Sequence, residues 1–286
     1  MAACHSVSLA EKPSAIVAAP QRAVVPKKVV KPGDTIDSFE VGGQQRTVFL
    51  HIPKTYSAKK PSPVVLAFHG YGGNGKQLAT GSGLNDLADQ QGFIAVYPDG
   101  IDRRWSVGGD QDVKFVGALL DRLQQQYGAD SRRIYATGIS NGGFLVQRLA
   151  CEIPTRVRAF ASVVATMPNG LQQVCQSNVP VSMLMMNGTD DRKVPWNGGN
   201  LGYGSILSVP DSIRFWQQKN GCPAQPKTQN VNARVQIDRY LGCRNGAEVE
   251  LVTLKGAGHV FPRGGGGANS LIDGSREIWQ FFQRQP

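Results

Sequence analysis

The sequence predicts an α/β fold with a mostly parallel central sheet and helices on both faces. Three observations predict it. Short, mostly apolar runs recur at 64–68, 93–97, 133–137, 159–165 and 181–186, the first of them continuous, and runs without a regular polar alternation are what strands covered on both faces require. Segments with helical spacing fall between them, so strands and helices alternate along the chain. One strand, beginning at Ile134, runs straight into a serine hemmed in by glycines, Gly138-Ile139-Ser140-Asn141-Gly142-Gly143.

The elements follow in order. Residues 1–34 are rich in Ala, Pro, Val and Lys with no sustained period, and read as a disordered tether. A single domain is expected over 35–286. Runs 37–41 and 46–52 flank Gly42-Gly43, and in the second Val48, Leu50 and Ile52 alternate with Thr47, Phe49 and His51. This reads as a hairpin at a sheet edge. The strand at 64–68 ends in His69-Gly70-Tyr71-Gly72-Gly73. A helix is expected over 84–91, then the strand at 93–97. Val113, Val116, Leu119, Leu120 and Leu123 give 112–126 one apolar helical face. The strand through Ile134 leads into the serine and a helical run at 144–151. Strands at 159–165 and 181–186, a helix at 212–219, strands at 235–240 and 249–254, and a closing helix at 270–282 complete the pattern. The glycine run 264–267 could be a mobile flap or a passive turn.

Composition narrows the function classes. The chain has 286 residues, 41% of them apolar, enough for one large core. No run of eighteen apolar residues exists to span a bilayer. The formal charge is +10, but it is scattered and never interleaved with aromatics. That pattern argues for a basic soluble protein and against nucleic-acid binding; attraction to an acidic polysaccharide or a cell envelope stays open. Of five cysteines, Cys151, Cys175, Cys222 and Cys243 fall in the body of the chain. They suit two disulfides in an oxidising, secreted or envelope compartment. Three pairings are possible, and sequence neighbours are the simplest. Met1-Ala-Ala-Cys4 resembles the end of a lipoprotein signal without its apolar stretch, leaving a lipid anchor at Cys4 open.

The chemistry centres on Ser140. Gly138, Ser140 and Gly142 fit G-x-S-x-G, the nucleophile elbow of α/β-hydrolases, a strained strand-to-helix turn that pushes a serine hydroxyl outward. A serine needs a base, and the chain has four histidines, His5, His51, His69 and His259. His5 sits in the tether, His51 on an edge strand and His69 in a glycine loop. His259 alone follows Ser140, in a loop after a strand. The acid should lie between them after a strand, where Asp190 and Asp191 are both placed. Two backbone donors for a developing oxyanion are expected from Asn141 and from the loop near Tyr71. A rival reading is a P-loop at Gly70–Lys76, but Gln77 stands where Ser or Thr would hold magnesium. No metal-ligand cluster or cofactor motif is present. Trp105 and Trp196 lie in loops after strand ends and are candidates to wall a substrate pocket.

These residues resemble the α/β-hydrolase group of polyhydroxybutyrate-depolymerase-like, feruloyl and acetylxylan esterases, over about residues 35–284. The matching pieces are His69-Gly70, Tyr97-Pro98-Asp99-Gly100, Trp105, Asp112-Val113-x-Phe115, the stretch Arg133 to Gly143, Gly188-Thr189-x-Asp191-x-x-Val194-Pro195, Phe215-Trp216 through Gly221-Cys222, and Gly258-His259-x-Phe261-Pro262. The resemblance implies a Ser140–His259–Asp191 triad and selects Asp191 over Asp190. It supports the pairs Cys151–Cys175 and Cys222–Cys243. The activity it implies is hydrolysis of a carboxylic ester through an acyl-enzyme, with feruloyl esters of plant polysaccharide first, short polyesters or polyhydroxyalkanoates second and acetylxylan third. Two departures, Asn187 for a usual His and Trp196 for a frequent Tyr, are expected at the pocket rim. A non-catalytic glycan- or lipid-binding protein on the same fold is the alternative of another class.

Overall fold

The structure, a computed structural model, describes residues 29–106, 108–264 and 271–285. Most of the expected tether with Cys4 and His5, and the glycine run apart from Gly264, lie outside the described residues. In chain order the elements are β1 (Gly33–Val41), β2 (Gln44–Ile52), β3 (Ser62–Phe68), α1 (Gly75–Ser82), α2 (Leu84–Gln91), β4 (Ile94–Pro98), α3 (Gln111–Tyr127), β5 (Ala129–Ile139), α4 (Asn141–Glu152), β6 (Ala159–Val163), α5 (Leu171–Val174), β7 (Ser182–Gly188), β8 (Gly199–Asn200), β9 (Ser205–Ile206), α6 (Val209–Asn220), β10 (Lys227–Asn232), β11 (Val235–Tyr240), β12 (Val249–Leu254) and α7 (Gly274–Gln283).

Ten strands form one sheet in the order β1-β2-β4-β3-β5-β6-β7-β12-β11-β10. From β4 to β12 every pairing is parallel. Antiparallel hairpins close both edges. At the first edge Val41 pairs with Gln44, and the two residues between them, Gly42 and Gly43, both have positive φ. A two-residue hairpin turn whose twist matches the strands needs that conformation at both positions, which glycine adopts at no steric cost.

The parallel strands bury both faces, and β3 shows how. Val64, Leu66 and Phe68 pack with α3, α4 and α6 through Leu120, Leu149 and Trp216. Val65 and Ala67 pack on the other side with α2 and α7 through Leu87, Trp279 and Phe282. Alternate side chains leave a strand on opposite faces, so a run apolar at every position demands helices on both. The α/β expectation holds for that reason, and strand order and covering layers together make this the α/β-hydrolase fold. Disulfides Cys151–Cys175 and Cys222–Cys243 tie α4 to the segment after α5, and the end of α6 to the segment after β11.

Several elements differ from expectation. β1 starts at Gly33, inside the stretch read as tether. The segment 75–82, to which the sequence pattern assigns no element, is helix α1, which the Asn74 side chain caps by accepting from the Gln77 N–H; such a cap stabilises by about 1 kcal/mol. β10 has no buried residue at all. It exists because its backbone completes the ladder on β11, which no side-chain pattern announces.

Candidate active site

Ser140 sits between β5 and α4 at φ 54° and ψ −118°, a conformation that costs of order 1–3 kcal/mol for a non-glycine residue. Its surroundings fix that angle. Its N–H donates to the Val163 carbonyl at 2.9 Å, and its carbonyl accepts from Phe144 N–H at 3.0 Å. A Cβ on Gly138 would stand 2.3 Å from the Gly142 carbonyl oxygen, and one on Gly142 would stand 2.2 Å from that of Phe68. Backbone cannot move aside, so both glycines are sterically required. Gly143 adds a third constraint, since its Cβ would meet that of Ala165 at 2.6 Å.

The histidine and aspartate reach this serine from the carboxyl ends of β12 and β7. His259 Nε2 lies 2.9 Å from Ser140 Oγ, and its Nδ1 lies 2.7 Å from Asp191 Oδ2. The second carboxylate oxygen, Oδ1, accepts the backbone N–H groups of Lys193 and Val194 at 2.8 and 2.9 Å. Asp191 is therefore a buried acceptor with fixed orientation, while Asp190 is exposed and bonds Thr189 Oγ1. The loops carrying acid and imidazole are locked together. Asp190 N–H donates to Ala257 O, Gly256 N–H donates to Thr189 Oγ1, and a Cβ on Gly188 would stand 2.2 Å from Ala257 O. Three side chains separated by 119 and 68 residues thus form one line of contacts. Such a line can pass a hydroxyl proton to an imidazole and hold the resulting charge.

The loop after β3 runs beside the serine. His69 uses both ring nitrogens in bracing it: Nε2 accepts from the Gly100 N–H at 3.0 Å, which leaves Nδ1–H to donate to Gly70 O at 2.8 Å. Burial holds this imidazole below its usual pKa, in keeping with a neutral ring in that role. The loop's amides are largely committed. Gly72 N–H donates to Arg103 O, Gly73 N–H to Gly70 O, and Gly75 N–H to Asp99 Oδ1. A phosphate cradle needs those donors free, so the P-loop reading has no physical basis here. Among the described residues the Tyr71 amide has no such partner, and its ring is exposed. Asn141 opens α4, where the first amides have no partner within the helix.

The Asn141 side chain does something the sequence did not disclose. Its Oδ1 accepts the Trp105 N–H at 2.6 Å, and its Nδ2 donates to Trp105 O at 3.1 Å. The Trp105 indole donates to His69 O at 2.9 Å and packs edge-on to Phe68. Beneath it Asp112 accepts from Arg46 at 2.9 Å and from the Ser106 N–H at 2.7 Å. The Arg46–Asp112 pair is buried on both sides, and losing one partner of such a pair costs about 3–5 kcal/mol. The chain positions could not reveal this, because Arg46 and Asp112 are 66 residues apart.

Two expectations need correction. Trp105 is only 2% exposed; its indole joins the core under the loop and does not wall an open pocket. Asn187 is 1% exposed and donates to Ala165 O, so that departure lies inside the fold and not at a rim. Trp196 is half-buried against the core, with its carbonyl accepting from the Val209 N–H; no contact brings it to Ser140. Among the described residues no group of side chains could hold a metal ion.

Residues 40–242 match the family described as "Putative esterase", a span that includes Ser140 and Asp191 and stops before His259. Feruloyl esterase D of Neurospora crassa is 26% identical over 292 residues, covering 96% of this chain and 94% of that protein. Feruloyl esterase B of Piromyces equi is 27% identical over 230 residues, 75% of this chain; the chain spans only 42% of that relative's length. The solved acetyl xylan esterase from Aspergillus awamori superposes with a TM-score of 0.66 over 87% of this chain and 99% of its own, at 17% identity, a likeness of fold alone. A sheet of this order, a strained serine at its centre and a family match across well over half the chain lead to one conclusion: the chain belongs to the esterase family.

Proposed function

We propose that this protein is a serine carboxylic-ester hydrolase that removes feruloyl-type acyl groups from plant polysaccharide. The observation that carries the reading is the continuous contact from Ser140 Oγ through His259 to Asp191. In this reading the Ser140 hydroxyl gives its proton to His259 Nε2 as its oxygen bonds the ester carbonyl carbon. The amides of Asn141 and Tyr71 donate to the oxygen that becomes negative. The tetrahedral intermediate expels the alcohol, which takes the proton back from His259, and an acyl-serine remains. Water then adds to that carbonyl, again losing a proton to His259, and the free acid leaves as Ser140 is restored. Asp191 is a positioning residue: its Oδ2 accepts the Nδ1–H and stabilises the imidazolium.

The substrate class rests on the names of the relatives, two of which are feruloyl esterases. Secretion is part of the same proposal. Two disulfides support an oxidising compartment. Hydrolysis of methyl ferulate, acetylated xylo-oligosaccharide and hydroxybutyrate oligomers should be compared for wild type and Ser140→Ala. The expected result is highest kcat/KM on the ferulate and loss of all turnover, and of fluorophosphonate labelling, in the variant. Wild-type rates in Ser140→Ala would refute the serine mechanism. Preference for acetyl or hydroxybutyrate esters would refute the acyl assignment alone.

A further inference from the structure

The amino ends of the parallel strands, opposite the catalytic rim, form a groove of about 1110 Å³. Ligand pockets commonly fall between ~300 and 1,000 Å³, so this groove has room for a stretch of polymer. Its walls carry Arg132 and Arg133 from the start of β5 and Arg158 from just before β6. Among the described residues they carry one carboxylate, Asp130, which is buried and already accepts from Arg132 and Arg133. Arg132 is 87% exposed at its side chain even so. The Arg158 guanidinium is exposed and makes no ion pair among the described residues. Burial pushes the Tyr135 hydroxyl up in pKa against a smaller downward pull from Arg133 and Arg158.

The lining also decides which anion fits. Gln91 and Gln283 are exposed at the groove. Gln91 Oε1 accepts from Trp279 and Gln283, which leaves Gln91 Nε2 and Gln283 Oε1 to meet hydroxyl groups, while Gln285 is buried and donates to Phe281 O and Glu248. The aromatic rings are not platforms: Tyr135 stacks on Phe282 at 4.8 Å between centroids, and Trp279 lies against Phe93 at 4.4 Å. Single-stranded nucleic acid needs free rings on which bases stack. An anionic membrane needs an apolar face to insert, and Val179 is the one lining residue among the exposed large hydrophobics. Arginine forks matched to carboxylates, with amides for hydroxyls, describe a uronic-acid polysaccharide.

We infer that this groove is a second binding site, for an acidic polysaccharide chain, which tethers the protein to polymer while leaving the ester site open. Ser140 stands seven residue steps beyond Arg133 along extended strand, roughly 23 Å at the usual rise per residue. A glycan held at one end therefore does not block the other, and tethering raises the local concentration of neighbouring esters.

The test measures binding of the full chain to polygalacturonate, neutral arabinoxylan and a thymidine oligonucleotide at low and moderate salt. Wild type should bind polygalacturonate in a salt-sensitive way and the neutral polymer at least tenfold more weakly, about 1.4 kcal/mol at the standard conversion. The double variant Arg132→Ser, Arg158→Ser leaves Arg133 on Asp130 and should lose affinity about tenfold while hydrolysing p-nitrophenyl acetate at the wild-type rate. The charge-matched control Lys227→Ser, Lys255→Ser, on edge strand β10 and just after β12, away from the groove's lining, should bind as wild type does. Equal loss in the control would mean bulk charge alone and overturn the site. So would an unaffected arginine variant, or tighter binding of the oligonucleotide than of polygalacturonate.

Discussion

At the scale of single residues, the choice between two adjacent aspartates carries the most information. Asp190 and Asp191 have the same chemistry and follow the same strand. One is exposed, and the other is buried with both oxygens engaged. Asp191→Asn keeps an oxygen for the Lys193 and Val194 amides, so the fold should survive. It cannot hold the imidazole tautomer, and kcat should fall by about 10⁴ with little change in KM. Asp190→Asn should leave kcat within experimental error. Steady-state kinetics on p-nitrophenyl acetate checks both. Equal losses would remove Asp191 from its proposed role.

At the scale of elements, β11, β12 and α7 meet around a buried carboxylate. Glu250 on β12 is fully buried; one oxygen accepts from Arg239 at 2.8 Å and from Arg284, and the other has no partner. Glu277 and Glu248 also face these arginines. Burial raises the Glu250 pKa to about 7, against the pull of both guanidiniums. The native state therefore keeps a proton that the unfolded chain releases above about 4.5. Stability from this group is full below that pH and is lost as pH rises through about 7. Melting temperatures at pH 5 and pH 8 should fall more for wild type than for Glu250→Gln. An identical drop in both would mean that Glu250 does not titrate in this window.

At the scale of the whole molecule, two disulfides staple the segments outside the sheet's parallel centre. Their loops span 24 and 21 residues, and each is worth roughly 3 kcal/mol in the chain-entropy picture. Reduction, or Cys-to-Ser replacement at either pair, should lower the unfolding midpoint in guanidinium. The proposed triad lies at strand ends held by the core, so turnover at low temperature should persist. Loss of turnover before any loss of near-UV ellipticity would instead tie the bridges to the site.

The sequence alone determined the layered α/β plan, because short, mostly apolar runs set between segments of helical spacing fit strands buried on both faces. It also carried the elbow's motif, and Gly138 is demanded locally by the Gly142 carbonyl, whereas Gly142 is demanded by the Phe68 carbonyl of β3, an approach only the folded sheet supplies. His259 was legible by elimination among four histidines. What the tertiary structure decided depends on approach between distant segments: which aspartate turns inward, the Asn141 clamp on Trp105, the buried Arg46–Asp112 pair, and strand β10, which exists only through its neighbour's hydrogen bonds. Local propensity and period are written along the chain. The distance between Arg46 and Asp112, or between Ser140 and His259, is set only when the sheet forms and brings its loops to a common end.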